Sequence, residues 1–191
     1  MNYLAHLHLA PDHPAARVGN LLGDFLKPSG AGHLPPDLQA GMALHRRIDA
    51  LTDSHPLVLA SKARIAPARR RYAGILVDIF YDHFLARHWR RFDVRPLPDF
   101  TRQCYAELRD FHPWLPPRLR DILPLMSAED WLLSYRRTEG IADVLARFSR
   151  HRIQRANPVA DGIIDLLENY DGLEQDFLDF YPSLIAMDKT P

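Results

Sequence analysis

The sequence predicts an all-α protein, a single-domain helical bundle spanning residues 1–191. Three observations carry this. Wherever apolar residues repeat, they repeat at a period near 3.6. Runs of β-branched residues are absent. The sixteen prolines stand between the periodic stretches, where they open or close helices, and form no tract. No Pro- or Gly-rich linker divides the chain, and its length suits one domain that buries about 70% of its unfolded surface.

Residues 2–9 alternate loosely, with Tyr3, Ala5, Leu7 and Leu9 set against Leu4, His6 and His8. Their period fits a short strand or a first helical turn, ended by Pro11 and Pro14. Arg17 to Pro28 allows a short helix, closed by Pro28 and the Ser29-Gly30-Ala31-Gly32 loop. Pro35-Pro36 opens a helix to about Thr52, with Leu38, Met42, Leu44 or His45, Ile48 and Leu51 as its inner stripe. After His55-Pro56 come a helix over about 56–66 and a central helix over about 68–90. Helices follow at 99–111, carrying Phe100, Cys104, Leu108 and Phe111, and at 117–126. Ser127 is placed to cap a helix running through Trp131 to Arg136, and Thr138 to cap 139–151. Asn157-Pro158 reads as a cap and first position for a helix to Tyr170, and the last helix covers 171–187, with a possible kink at Pro182.

Charge and composition narrow the function classes. The chain carries 24 basic and 24 acidic residues, a balance that argues against a general nucleic-acid binder. No stretch approaches the roughly 20 apolar residues of a membrane span. The first ten residues lack a basic leader and are interrupted by two histidines, so they do not read as a signal peptide. The single cysteine, Cys104, allows no intrachain disulfide and no paired-cysteine zinc site. A cytoplasmic protein is expected.

The chemistry concentrates in polar residues embedded among apolar ones. Asp78 lies within Ile75-Leu76-Val77-Asp78-Ile79-Phe80, followed by Asp82 and His83. A buried, unpaired carboxylate costs several kcal/mol or takes up a proton, so something positive has to meet it. His45 and Asp49 repeat the i,i+4 spacing of Asp78 and Asp82, which offsets two side chains by only about 40° around a helix. With Asp24 and His6 these make a set of carboxylates and imidazoles without cysteine. Such donors suit Mn, Mg, Fe or Zn in a hydrolytic role, where the ion polarises a phosphoryl oxygen and lowers the pKa of water. An arginine could answer the same charges.

Four blocks in order resemble one family. They are Met1-Asn2-Tyr3-Leu4-Ala5-His6-Leu7-His8-Leu9-Ala10; Gly19-Asn20-Leu21-Leu22-Gly23-Asp24-Phe25; Leu44-His45-Arg46-Arg47-Ile48-Asp49-Ala50 with Thr52-Asp53-Ser54-His55-Pro56; and Arg70-Arg71-Tyr72-Ala73-Gly74-Ile75 through Asp78 to Leu85. Together they resemble the acyl carrier protein phosphodiesterases, also called acyl carrier protein hydrolases. The resemblance is close over the first ninety residues; beyond them it rests on helical character and Gly140-Ile141.

The resemblance implies hydrolysis of the phosphodiester joining 4′-phosphopantetheine to the serine of holo acyl carrier protein, giving apo carrier protein and free 4′-phosphopantetheine. It also implies a divalent metal, typically Mn, and an HD-like helical fold. HD enzymes use an adjacent His-Asp pair, whereas the pair in the fourth block here is reversed, Asp82-His83. Ligands are therefore assigned from chemistry and position: Asp24, His45, Asp49, Asp78 and Asp82, with His6 next. His83 is the candidate general acid or water-orienting group, and Asp24 the second catalytic candidate.

Carrier proteins of this type are acidic, so a basic face should steer them. Lys62, Arg64, Arg69, Arg70 and Arg71, with Arg46 and Arg47 on the preceding helix, are its candidates. No nucleic-acid or membrane partner is expected, and the oligomeric state stays open. Two other readings remain: a metal phosphohydrolase acting on a nucleotide or other small phosphate ester, and a helical binding module whose acids pair with its arginines.

Overall fold

A computed structural model describes residues 1–151 and 155–187. Among these residues there is no β-strand, and eleven α-helices are joined by short turns and single 3₁₀ turns: α1 (Tyr3–Leu9), α2 (Pro14–Leu22), α3 (Pro36–Ser54), α4 (Pro56–Ala63), α5 (Ala73–Arg87), α6 (Leu97–Asp110), α7 (Pro117–Ala128), α8 (Trp131–Ser134), α9 (Thr138–His151), α10 (Gly162–Glu168) and α11 (Tyr170–Met187). No helix among the described residues is long and apolar enough to cross a membrane.

The bundle is built around α5. Leu76, Val77, Ile79, Phe80, Tyr81, Phe84, Leu85 and Ala86 are all buried, so this helix is apolar on every side and needs neighbours all round. It has them in α1, α4, α9 and α11. The aromatic seam with α11 is dense: Phe177 meets Tyr81 at 5.3 Å and Phe84 at 6.0 Å between ring centres, and such tilted or edge-on pairs add to the burial itself. Beside this core, α2 and α3 form the most intimate helix pair. Buried Arg17 ties α2 to α6 by donating to both carboxylate oxygens of Glu107, a bidentate geometry that suits a guanidinium out of water.

Several boundaries differ from the sequence expectation, each for a local reason. The basic run Arg69-Arg70-Arg71 does not start the central helix; it lies in a 3₁₀ turn, Pro67–Tyr72, ahead of α5. Leu51 is 44% exposed and so leaves the inner stripe of α3. Ser127 falls inside α7, and the cap of α8 is Asp130, held at φ 42° while its carboxylate accepts from Leu133 N–H at 3.2 Å. Asp tolerates that left-handed conformation better than most residues because its carboxylate can bond locally. Asn157 caps a turn, accepting from Val159 N–H at 3.2 Å; the helix there begins only at Gly162.

The α2–α3 contact depends on two facing glycines. A Cβ on Gly19 would stand 2.4 Å from the carbonyl oxygen of Leu38, and one on Gly41 would stand 2.7 Å from that of Ala16. Backbone on both sides cannot retreat without separating the helices, and overpacking of this kind costs about 1–3 kcal/mol. Gly19→Ala should therefore lower stability by about 2 kcal/mol in urea melts, while Gly30→Ala, with nothing within 4 Å of the added carbon, should not lower it.

Candidate metal centre

Three side chains converge where α1, α2 and α3 meet. His6 from α1 and His45 and Asp49 from α3 each offer a donor atom, all within 4.8 Å of one another. The two imidazoles are stacked, 3.9 Å between centres and 22° apart. His45 Nε2 lies 3.0 Å from one Asp49 oxygen and His6 Nε2 lies 3.3 Å from the other. Both rings are buried, whereas the Asp49 side chain is 37% exposed, which leaves the cluster open on that side.

Asn20, on α2, fixes how both rings point. Its side-chain N–H₂ donates to the His6 carbonyl at 2.7 Å, which leaves its amide oxygen to accept from His6 Nδ1–H at 3.1 Å. Its main-chain carbonyl accepts from His45 Nδ1–H at 2.9 Å. Because Nδ1 of each ring is the donor to Asn20, a ring that carries a single proton has its Nε2 lone pair directed into the cluster. His6 Nε2 is buried with no hydrogen-bond partner. A buried nitrogen without a partner, beside a second imidazole and a carboxylate, is an unfavourable arrangement on its own and a suitable one for a cation. Metal centres fix the tautomer of a ligating imidazole in this way, with a hydrogen-bond acceptor on the ring nitrogen that does not face the ion. The donor set therefore fits a divalent ion.

The electrostatics agree. Burial holds His6 below its ordinary value, so it stays neutral. Burial alone would raise the Asp49 carboxyl, but donation from His45 and His6 Nε2–H when those rings are protonated, together with the positive amino terminus, outweighs it and holds the group well below the usual carboxylate range. The Met1 amino group lies 3.2 Å from Asp49 Oδ1 and 3.0 Å from Asp78 Oδ1. The Asp78 side chain is 27% exposed, yet its Oδ1 is closed to solvent, and burial raises its pKa against the pull of the ammonium. Burial would lower the Met1 amine too, but Asp78 and Asp49 carry it up to about 10. Asp24, just beyond α2, is half-buried and close enough to act electrostatically on Met1 and His6.

The remaining candidates are placed elsewhere. Asp82 is completely buried, but its two oxygens accept from Leu4 N–H at 2.7 Å and Ala5 N–H at 3.0 Å. It holds the first turn of α1 and contributes no donor to the cluster; burial raises it to about 8 despite those bonds. His83 follows Asp78 by five residues, an offset of about 140° around the helix. Its Nδ1–H donates to the Tyr135 carbonyl at 2.7 Å and its Nε2 accepts from Tyr170 O–H at 2.8 Å, so it is engaged away from the cluster. Of the basic candidates, Arg69 pairs with buried Asp165, Arg64 with Asp176 at 3.2 Å and Lys62 with Asp53 at 2.7 Å. Arg70 is exposed and donates to the Ile65 and Ala63 carbonyls. Arg46, Arg47 and Arg71 are exposed.

Two site residues had not been singled out from the sequence. Asn20 carried a usable signal, being a polar amide inside Val18-Gly19-Asn20-Leu21-Leu22. Gly23 carried a weaker one. A Cβ there would stand 2.2 Å from His45 Cγ, at the root of the ring, so Gly23 makes the space in which His45 sits. Gly23→Ala should push His45 off its position and weaken divalent-metal binding at least tenfold by titration calorimetry, with the helical circular dichroism unchanged.

Comparison with known proteins gives the same family as the motifs. Residues 1–184 match the family described as acyl carrier protein phosphodiesterase, so the likeness extends well past the first ninety residues. The chain is 40% identical over 190 residues to "Acyl carrier protein phosphodiesterase" of Serratia proteamaculans, covering 99% of this chain and 98% of that one. It is 38% identical over 191 residues to the protein of the same name from Enterobacter sp., covering 100% and 98%, and 38% over 187 residues to that of Salmonella agona, covering 97% and 96%. No solved structure matches. With a family match across almost all of its length and relatives that share its full extent, the chain belongs to the acyl carrier protein phosphodiesterase family.

Proposed function

We propose that this chain is a divalent-metal-dependent phosphodiesterase, with Mn as its preferred ion. Its reaction would cut 4′-phosphopantetheine from the serine of holo acyl carrier protein and release apo carrier protein and free 4′-phosphopantetheine. The observation that supports metal dependence most directly is the convergence of the Nε2 atoms of His6 and His45 on Asp49, with the His6 nitrogen buried and without a hydrogen-bond partner. A bound divalent ion would offset charge on the phosphoryl oxygens and lower the pKa of a water near phosphorus.

The chain's own groups take the other roles. His6, His45 and Asp49 form the donor set. Asp78 stands across the Met1 amino group from Asp49, where its carboxylate and that of Asp24 can orient the attacking water or receive its proton. Asp82 acts through α1, by keeping His6 at its station. His83 is not part of this proposal, since both its nitrogens are engaged elsewhere.

Docking of an acidic carrier protein is assigned to the exposed arginines Arg46, Arg47, Arg70 and Arg71. Arg64 and Arg69 are left out because they neutralise acids of α11 and α10.

Incubation with holo carrier protein and Mn should remove the phosphopantetheine mass from the intact carrier, and chelation should stop it; an unchanged mass in the presence of Mn would refute the reading. Asp49→Asn should lower turnover about a hundredfold or more, following loss of metal affinity, with the fold retained by circular dichroism. Reversing Arg70 and Arg71 to Glu should reduce kcat/KM on carrier protein at low salt, and the difference from wild type should shrink as salt rises.

A further inference from the structure

A second feature lies beside the cluster. A cavity of about 510 Å³ is walled by Tyr3 of α1, Ile122 and Leu125 of α7, Trp131 of α8, and Val144 and Phe148 of α9. Its polar lining residues are few: Arg118, Arg147, Asp121 and Asn2. Arg147 is held 4.1 Å above the Trp131 ring and 3.7 Å from Glu129, so its donors are positioned before any ligand arrives. A mostly apolar chamber of several hundred Å³ with a few convergent polar groups is the usual form of a small-molecule site.

Two connections lead from this cavity to the metal centre. The first is along the chain. Met1 touches Asp49 and Asp78, and the next two residues, Asn2 and Tyr3, line the cavity. Consecutive Cα atoms are about 3.8 Å apart, so the wall begins within about 8 Å of Met1. The second is through rings. Phe25, which follows Asp24, packs on Tyr3 at 5.5 Å and lies under Arg118 at 6.0 Å. A phosphorus held at the cluster would thus have one substituent leading past Tyr3 and Phe25 into the cavity.

We infer that this cavity is the subsite for the pantetheine arm of the substrate. The inference rests on the proposed carrier-protein reaction. The arm is uncharged and amphipathic: a gem-dimethyl carbon, a hydroxyl, two amides and a terminal thiol. Its methyl and methylene groups suit the Ile122, Leu125, Val144 and Phe148 walls. Its amide carbonyls suit the donors of Arg118 and Arg147, and its amide N–H groups suit Asp121. The carrier protein would approach from the other side of the phosphate.

The test fills the chamber from two walls separately. Ile122→Trp and Val144→Trp would each occupy it, and Val94→Trp, at a fully exposed position outside the cavity wall, controls for the added indole. Binding of free pantetheine is measured through Trp131 fluorescence without metal, and hydrolysis of holo carrier protein with Mn. Pantetheine should bind the wild type and Val94→Trp, and its affinity should fall at least tenfold in either cavity-filling variant, Ile122→Trp or Val144→Trp, that keeps wild-type circular dichroism. The same variants should show at least a tenfold higher KM for holo carrier protein. Wild-type KM and pantetheine affinity in a folded cavity-filling variant would overturn the subsite and leave the reaction standing. Pantetheine binding that the variants abolish, in a protein that leaves holo carrier protein uncut, would support the subsite and refute the reaction. Absence of pantetheine binding to the wild type would overturn the subsite.

Discussion

Asn20 sets the character of the site. Its side-chain amide clasps His6 from two directions, and its main-chain carbonyl fixes His45. One residue therefore decides that two stacked imidazoles, on two different helices, both direct a lone pair toward Asp49. Without that constraint either ring could turn Nδ1 inward or donate a proton to the carboxylate, and the cluster would be an ordinary buried ion pair. With it, the site carries an electrostatic demand that a cation would meet. The demand is intensified by burial, which makes unsatisfied polar groups expensive.

The fold serves that geometry through several independent contacts. Asp82 anchors the first amides of α1 to the central helix, so His6 is positioned by the most deeply packed element of the molecule. Gly19 and Gly41 let α2 and α3 approach to backbone contact, and Gly23 clears the volume of the His45 ring. The Arg17–Glu107 pair fastens α2 from its other side. The site is consequently a property of the packed bundle. The cavity beside it is formed by α7, α8 and α9 together with the start of α1, so α1 borders both.

Much of this was legible in the sequence. The apolar periodicity gave the helices, and His45 with Asp49 was visible as an i,i+4 pair, with His6 as a histidine between leucines. The differences between the sequence reading and the observed placement have physical reasons. Asp78 and Asp82 have the same spacing as His45 and Asp49, but spacing reports a shared helix face and says nothing of what meets it; the amides of Leu4 and Ala5 meet Asp82 from 78 and 77 residues away. His83 was drawn in by its neighbour in sequence, although an adjacent residue on a helix points about 100° away. The basic run looked uniform, yet Arg64 and Arg69 are taken up by acids 112 and 96 residues distant. The Met1 amine had no letter to announce it.

Metal binding at this one place is the claim on which the rest stands, and crystals grown with Mn would test it most directly through the anomalous signal of the ion. A peak is expected within coordination distance of the Nε2 atoms of His6 and His45 and of a carboxylate oxygen of Asp49. A Mn-saturated crystal with no peak among these three side chains, or with its peak at other residues, would contradict it.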